Sequence, residues 1–306
     1  MYKLAGIDLA TFGFTPVVQA NSDVAITGIF DAPARLGDAF FSWANEDGIE
    51  PYVSAEDIAN GGFGGRDINL IGVIQGSGRN DCMNKLDALH ALIDGFTDLV
   101  PLLCDWGTYN VYVNGAVSGD YLDERGIKVT IPMREPIVTM NGTKPAGNSA
   151  DLGIDGISFE QLGGAYLELS GDRYNRPAPK KTDTIAYGKE AYGIGKKEAP
   201  ELELKLALRA DTYAELRAMV YGLMALLYSP GMRYLTVSGD RARSFFLKDG
   251  FTASKLHLHG EVCFCVIDMK LTESGSAYTW EELTNALGDA YTLNGETIMI
   301  KIKTYA

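Results

Sequence analysis

The chain has 306 residues, 46% of them hydrophobic and 22% charged, which is enough for two ordinary cores and is unlike a disordered or fibrous sequence. Its 27 Lys and Arg against 40 Asp and Glu give a net charge of −13, which argues against general affinity for nucleic acid or anionic membrane. The start, MYKLAGIDLA, lacks the apolar run of a signal peptide, and no segment resembles a membrane span. We therefore expect a protein that is made and kept in a cytoplasm.

The first third of the chain predicts strands followed by a long loop. Residues 6–19 read as a strand pair with a turn near 11–13, and residues 24–30 alternate as a further strand. Residues 31–65 are Gly-rich and aromatic, and a loop of that length in a compact domain is typical of a functional or partner-ordered segment. Its large aromatic residues are Phe40, Phe41, Trp43 and Tyr52.

A strand and a helix follow this loop. INLIGVIQG (68–76) predicts the strand, and NDCMNKLDALHALIDGF (80–96) predicts a helix with Asp81 as its N-cap and Gly95 as its stop. The residues at helical spacing that form its apolar stripe are Met83, Leu86, Leu89 and Ile93.

Three further strands are predicted at 100–104, 108–117 and 127–133. Asn114-Gly115 has the composition of a type I′ hairpin turn. Residues 134–153 contain three Gly and two Pro and read as a linker, with a short hairpin expected at Asn141-Gly142.

The second part of the chain repeats this order. GISFEQLGGAYLEL (156–169) matches the opening strands, and the aromatic segment 172–200, with Tyr187 and Tyr192, matches the long loop. ELELKLALRA (201–210) alternates Leu with charged residues as a strand. A helix over 211–228 follows, with Asp211 as the expected N-cap and Pro230-Gly231 as its end. Its apolar stripe comprises Leu216, Met219, Val220, Leu223, Leu226 and Leu227.

The remaining elements are three strands and a tail. The strands are expected at 233–238, 244–252 and 255–271, with Asp249-Gly250 as a hairpin signal in the same place as Asn114-Gly115. In the tail, 279–291 predicts a short helix on Leu283, Ala286 and Leu287, and 297–306 alternates Ile as a closing strand.

These correspondences predict a tandem duplication. KLDAL (85–89) and ELRAM (215–219) align without a gap, and each copy places one helix among β segments, so the expected class is α+β. We expect each copy to be an antiparallel sheet or barrel-like β structure with one packed helix. The predicted organisation is a first domain at 1–136, a linker at 137–152, a second domain at 153–275, and a helix and strand extension at 276–306.

Residues with catalytic or ligand chemistry form no strong constellation. His257, His259, Cys263 and Cys265 have the pattern H-x-H-x3-C-x-C, which is either a metal site or a pair of core cysteines beside half-exposed histidines. The four cysteines form no spaced disulfide framework. His90 fits a boundary position of the first helix. We therefore assign no catalytic, cofactor or metal residue and expect no enzymatic activity.

The remaining motifs, one Gly-rich stretch and four charged pairs, predict no binding site. GGFGG (61–65) precedes a strand, so it does not form a phosphate cradle at a helix N-terminus. The acidic pairs Glu46-Asp47 and Glu56-Asp57 and the basic pairs Lys180-Lys181 and Lys196-Lys197 are expected to be solvated.

Several stretches together resemble one known family. They are LAGIDLATFGF (4–14), DAPARLGD (31–38), FFSW (40–43), NEDGIEPY (45–52), RDINLIGVIQG (66–76), NKLDALHALIDG (84–95) and VTIPMREP (129–136). In order and spacing they look like the N-terminal domain of phage distal tail proteins, and the second half follows by internal repeat. The resemblance implies a structural protein of a phage or prophage tail tip or baseplate, forming a ring that joins the tail tube to the host-recognition apparatus.

The chain departs from the usual distal tail protein, in which a different module follows the first domain. A duplicated module resembles tail hub proteins, in which two such domains per chain let a trimer present a pseudo-six-fold ring. The implied partners are other copies of the chain, as a trimer or hexamer, with the tail tube and other tail-tip proteins, and the implied location is the virion tail. The alternatives left open are a carbohydrate-binding module that uses the aromatic loops and a tail-associated hydrolase.

Overall fold

The computed structural model describes residues 1–18, 21–36, 40–42, 49–51, 62–147, 151–172, 184–186, 189–191, 200–229, 233–238, 240, 242–273, 278–282, 292–293, 296–297 and 299–303. In this part of the chain the protein contains two α-helices and two large antiparallel sheets, in agreement with the predicted α+β class. Neither helix has the length and apolar character needed to cross a membrane.

The first half of the chain, residues 1–136, contains one helix, α1 (Arg79–Asp94), and a 3-10 turn at Leu9–Phe12. Its strands are β1 (Lys3–Leu4), β2 (Ile7–Asp8), β3 (Phe14–Pro16), β4 (Ile26–Thr27), β5 (Phe40–Ser42), β6 (Ile49–Pro51), β7 (Arg66–Gln75), β8 (Val100–Cys104), β9 (Gly107–Val113), β10 (Ser118–Asp123) and β11 (Gly126–Glu135).

The second half, residues 153–275, contains helix α2 (Tyr213–Leu227), and a short tail follows it. The strands are β12 (Gly153–Ile154), β13 (Ile157–Ser158), β14 (Gly164–Gly171), β15 (Thr184–Ala186), β16 (Lys189–Ala191), β17 (Glu201–Ala210), β18 (Arg233–Thr236), β19 (Arg243–Phe246), β20 (Phe251–His257), β21 (Cys263–Glu273), β22 (Tyr278–Glu282), β23 (Thr292–Leu293), β24 (Glu296–Thr297) and β25 (Met299–Lys303).

The two large sheets have the same strand order. The first runs β2-β1-β8-β9-β11-β7-β3, and the second runs β13-β12-β18-β19-β21-β17-β14. In the first sheet β10 also pairs with β11, and in the second β20 also pairs with β21. Each strand of this path in one half therefore has a counterpart at the same place in the other. The gene duplication that this order fits stays a prediction, as do the domain boundaries.

Buried apolar residues alternate with more exposed ones along the central strands, and the buried residues form the core. Every second residue of β17, from Leu202 to Leu208, is fully buried, as the sequence pattern predicts. In β7 the inward positions include Gly72, where an added Cβ would lie 2.2 Å from the Phe14 ring. Gly72 is therefore required for Phe14 to pack on the sheet. The buried apolar side chains of both halves form one connected cluster.

Both helices form where expected, but both predicted N-caps are wrong. The N-cap of α2 is Thr212, whose side chain accepts the N–H of Glu215, instead of Asp211. Helix α1 begins after Gly78, and Asp81 lies inside its first turn, where its carboxylate accepts the N–H of Ser77 at 2.8 Å. The predicted stop at Gly95 is confirmed.

Neither Asn114-Gly115 nor Asp249-Gly250 forms the expected hairpin. The strands before and after each turn pair with the same long strand: β9 and β10 both pair with β11, and β19 and β20 both pair with β21. Each long strand has ten or more residues, so its edge is shared end to end by two short strands. The turn residues move the chain along that edge instead of reversing it onto the preceding strand.

Three strand predictions near the N-terminus and in the second half are wrong in extent. Residues 6–19 do not form a strand pair, because Asp8 caps the 3-10 turn and β3 pairs with β7 instead. In 24–30 only Ile26–Thr27 is strand, since the chain turns at Gly28, where φ is +83° and an added Cβ would collide with the Asp67 carbonyl. The expected strand over 255–271 is divided into β20 and β21.

The linker and tail also differ from expectation. Asn141-Gly142 forms no hairpin: an added Cβ at Gly142 would lie 1.8 Å from the Tyr221 carbonyl oxygen, so glycine lets the linker pass close over α2. Residues 279–282 belong to β22 instead of a helix, and 283–290 lie outside the described residues. The closing strand is confirmed over Met299–Lys303, where it pairs with β22.

Candidate assembly surface

Residues 22–36 of the first half lie along the free edge of β20 in the second half, and we call this contact the seam. The backbone N–H of Asp23 donates to the Leu256 carbonyl, and the Asp23 carboxylate accepts the N–H groups of Leu258 and His259 at 2.8 and 2.9 Å. Carboxylates are strong acceptors for backbone N–H groups, so one side chain occupies two donors at the end of this strand.

A second pair of contacts continues the seam along β20. The Ala32 N–H donates to the Phe251 carbonyl at 2.9 Å, and the Asp31 carboxylate accepts the Ala253 N–H at 2.7 Å. Burial raises the pKa of Asp31 to about 6, although this hydrogen bond and nearby Arg66 lower it. The seam therefore blocks an edge that would otherwise expose unpaired backbone groups.

Arg35 joins the seam to the end of α2. Its Nε donates to the Leu247 carbonyl at 3.0 Å, and its Nη2 donates to the carbonyl of Leu227, the last residue of the helix, at 3.2 Å. The guanidinium lies 5.1 Å from the ring centroids of both Phe63 and Tyr228. A cation at a helix C-terminus complements the helix dipole. Burial lowers the pKa of Arg35 to about 10, which leaves it protonated at neutral pH.

An aromatic cluster extends the contact to the other end of α2. Tyr213, at the start of the helix, donates a hydrogen bond to the Trp106 carbonyl, and its ring lies 5.1 Å from Trp106 and 6.0 Å from Phe30. His259 meets the Trp106 ring edge to face at 4.7 Å. Helix α2 is therefore held by the first half at both of its ends.

A buried ion pair supports the chain that leads into the seam. Arg66 and Glu135 are 2.7 Å apart at the start of β7 and the end of β11, and both are buried. Arg66 also donates to the Ile29 carbonyl at 2.5 Å. This pair therefore holds the backbone of residues 29–31 in place, just before the chain reaches β20 of the second half.

The counterpart of β20 in the first half is β10, and it is uncovered. All six residues of β10 are exposed, including Tyr121 at 44% and Leu122 at 61%. Among the described residues β10 pairs only with β11. Its outer edge therefore presents the backbone groups that the seam covers in the second half.

The counterpart of the Arg35 position is also uncovered. When KLDAL is aligned with ELRAM, Leu227 and Tyr228 correspond to Thr97 and Asp98. When Asp249-Gly250 is aligned with Asn114-Gly115, Leu247 corresponds to Tyr112. These residues line a cavity of about 730 Å³, which we call the open groove. Its full lining is His90, Ile93, Asp94, Phe96, Thr97, Asp98, Leu99, Tyr112, Val113, Gly115, Ala116 and Val117.

The structure separates the histidines and cysteines of the H-x-H-x3-C-x-C pattern. Cys263 and Cys265 are buried in the core, and burial raises the pKa of Cys265 to about 12. His257 stacks on Phe264, the residue between them, and so lies on the opposite face of the sheet. No group of three or more His, Cys, Asp or Glu in the described residues is arranged to hold a metal ion.

The other predicted candidates lie at the open groove, in β5, or outside the described residues. His90 lines the open groove, and its Nε2 is buried with no hydrogen-bond partner in the described part of the chain. Phe40 and Phe41 belong to β5, which pairs with β6. The candidates outside the described residues are Trp43, Tyr52, Tyr187, Tyr192, Glu46-Asp47, Glu56-Asp57, Lys180-Lys181 and Lys196-Lys197.

The seam residues themselves carry no recognisable sequence signal. Asp23 and Asp31 act through hydrogen bonds to residues more than 200 positions away, which no local pattern encodes. Arg35 lies within DAPARLGD, a stretch that contributes to the family resemblance, but its partners become visible only when the halves are in contact.

No protein-family model matches the chain, and no curated protein matches it. A similar solved structure is the crystal structure of the Dit protein of phage SPP1, which is described as a paradigm of the hub adsorption apparatus in phages that infect Gram-positive bacteria. The two chains are 12% identical, the alignment covers 88% of this chain and 99% of that chain, and the TM-score is 0.31. A TM-score of 0.31 does not establish a common fold.

Proposed function

We propose that the protein is a non-enzymatic structural subunit of a phage or prophage tail tip, where copies assemble head to tail into a ring that connects the tail tube to the host-recognition apparatus. One observation carries the ring: two halves of equal strand order meet through a contact that uses different surfaces on each half, with the corresponding acceptor surface of the first half open.

Such a contact is heterologous, and it gives a ring when the rotation between successive units closes on itself. The first half contributes residues 22–36, and the second half contributes the edge of β20. If the second half of one copy contacts the first half of the next in the same way, every half occupies an equivalent position. Three chains then form a ring of six similar units, and six chains form a ring of twelve.

The place of this ring in a phage tail rests on the order of motifs that resemble distal tail and tail hub proteins. The net charge of −13 fits a ring through which DNA passes, because like charges prevent the duplex from adhering to the lumen. The same charge opposes association of isolated copies in low salt, so we expect assembly to increase with ionic strength.

The test is mass photometry and negative-stain microscopy of the whole chain across salt and protein concentrations, alone and co-expressed with the products of its neighbouring genes. We expect closed rings of three chains, with six similar units, or of six chains, with twelve. A chain that stays monomeric in every condition, or that turns over a sugar or peptide substrate, contradicts the proposal.

A further inference from the structure

The first half contains an unfilled version of a site that the second half has filled. At the filled site, Arg35, Phe63 and Pro33 of the first half pack on the end of α2 in the second half. The Tyr228 hydroxyl donates to the Pro33 carbonyl at 2.5 Å. In the first half, the corresponding position beside α1 is the open groove. The two sheets have the same strand order, and each helix contacts the corresponding pair of strands, so the two positions differ in what covers them.

We propose that the open groove, together with the outer edge of β10, is the docking surface for the second half of another copy of this chain. This inference rests on the proposed ring and names the surface through which it forms. The two parts are contiguous, since Gly115, Ala116 and Val117 line the groove and β10 begins at Ser118.

The chemistry of the groove favours this occupant. Asp94 and Asp98 are exposed at its rim, while the Nε2 of His90 is buried beneath with no hydrogen-bond partner among the described residues. Tyr112 and Leu99 add exposed apolar surface. An acidic, partly apolar groove suits a basic side chain on an apolar stem, as Arg35 is in the filled site.

The second half carries a sequence with that character. Residues 31–36 of the first half, DAPARL, supply Arg35 to the filled site. The corresponding sequence after β14 is DRYNRPAPKK at 172–181, in which Arg173, Arg176, Lys180 and Lys181 stand against one Asp. Positive charge on the second half therefore complements the two aspartates of the open groove on the next copy.

Filling the groove tests the inference without disturbing the core. Ala116 is exposed and lines the groove, so Ala116→Trp should occupy the cavity while leaving the fold intact. Asp94→Arg reverses the charge at the rim. The matched control is Asp87→Arg, an exposed aspartate on the same helix that does not line the groove. Circular dichroism and thermal unfolding verify that all three variants remain folded.

Assembly of each full-length variant is then measured by sedimentation velocity over a concentration series, under the conditions in which the wild type forms rings. We expect Ala116→Trp and Asp94→Arg to raise the dissociation constant about thirtyfold or more, and Asp87→Arg to leave it within about threefold. If the wild type assembles and both groove variants assemble equally well, the docking surface is wrong and the ring stands. If the wild type does not assemble in any condition, the proposed function fails and this inference fails with it.

Discussion

Strands β10 and β20 occupy the same place in two sheets of the same order, yet every residue of β10 is exposed and three of the seven residues of β20 are buried. Phe251, at the start of β20, is 3% exposed, whereas Tyr121 in β10 is 44% exposed. The two strands also differ at their outer backbone edges, because residues 22–36 hydrogen-bond to the edge of β20 and no described strand pairs with the outer edge of β10. The backbone edge at this position is therefore satisfied by the neighbouring half in one sheet and left open in the other.

The two strands have compositions that suit their surroundings. FTASKLH in β20 alternates apolar and polar residues, as a strand with one packed face should. SGDYLD in β10 contains two aspartates and a glycine, which discourage non-specific pairing along an open edge. The composition of the free edge thus opposes non-specific strand pairing, while Tyr121 and Leu122 remain exposed on it.

The two helices show the same asymmetry. Helix α1 buries Cys82, Leu86 and Leu89, on the side that faces its own sheet. Helix α2 buries seven residues, because it packs on its own sheet, contacts Trp106 and Phe30 through Tyr213, and is crossed by the linker at Gly142. A helix covered on several sides is expected to be apolar around most of its circumference.

The largest expected difference between the halves is at the edge strands. Phe251→Ala should lower the free energy of unfolding by about 3–5 kcal/mol, because it removes a buried ring and leaves a cavity. Tyr121→Ala at the open edge should cost less than about 1 kcal/mol, since it loses only an exposed ring that Arg79 contacts at 4.8 Å. Urea unfolding of both variants measures this. Equal costs would mean that the Phe251 ring is not buried in solution.

The helices provide a second comparison of similar size. Leu223 in α2 and Leu89 in α1 are both fully buried, so Leu223→Ala and Leu89→Ala should each cost about 2–5 kcal/mol. Denaturant melts followed by circular dichroism give both values, with the exposed Leu122→Ala as the control. A cost below about 0.5 kcal/mol for either helix would place that face in solvent or at an interface between copies.

Much of the fold was predictable because local periodicity encodes it. The alternation in β17 and the apolar stripe of α2 depend on neighbours one to four residues apart, and both predictions are confirmed. The N-caps were displaced by one or more residues, since Asp211 and Thr212 are both good caps and only Thr212 places its oxygen near the Glu215 N–H.

The hairpin and site predictions failed for a different reason. Asn114-Gly115 specifies a turn, but which strand pairs with which is decided by the long partner β11, and that choice is not local. Likewise, the aspartates of the seam resemble any surface aspartate in an acidic chain. Their role depends on the second half lying against them, which only the assembled structure reveals.

A third comparison concerns the filled and unfilled sites at the helix ends. Arg35→Ala should cost about 3 kcal/mol, because the Leu227 and Leu247 carbonyls lose a charged donor and the rings of Phe63 and Tyr228 lose their cation. Arg35→Lys should recover only part of this, since one ammonium does not reproduce the planar fork. The control is Arg134→Ala, which removes a partly exposed ion pair between Arg134 and Asp67. This change should cost less than about 1 kcal/mol. Unfolding is measured by calorimetry, and an Arg35→Ala cost no larger than that of Arg134→Ala would exclude a stabilising role for this contact.

The smallest expected effect is a dependence on pH that belongs to the seam and has no counterpart at the open edge. The pKa of Asp31 rises to about 6 on folding because the carboxylate is buried, so the folded state binds its proton more tightly than the unfolded state does. The Asp31 contribution to stability is therefore greatest below about pH 4, decreases as the pH rises to about 6, and is constant above that.

Asp31→Asn keeps an oxygen that accepts the Ala253 N–H and removes the charge. We expect its unfolding free energy, relative to the wild type, to rise by about 2 kcal/mol between pH 4 and pH 7. Dilute protein in urea titrations at several pH values measures this difference. Asp120→Asn on exposed β10 is the control and should show a flat difference; a flat difference for Asp31→Asn as well would mean that the carboxylate is solvated and that the seam is open in solution.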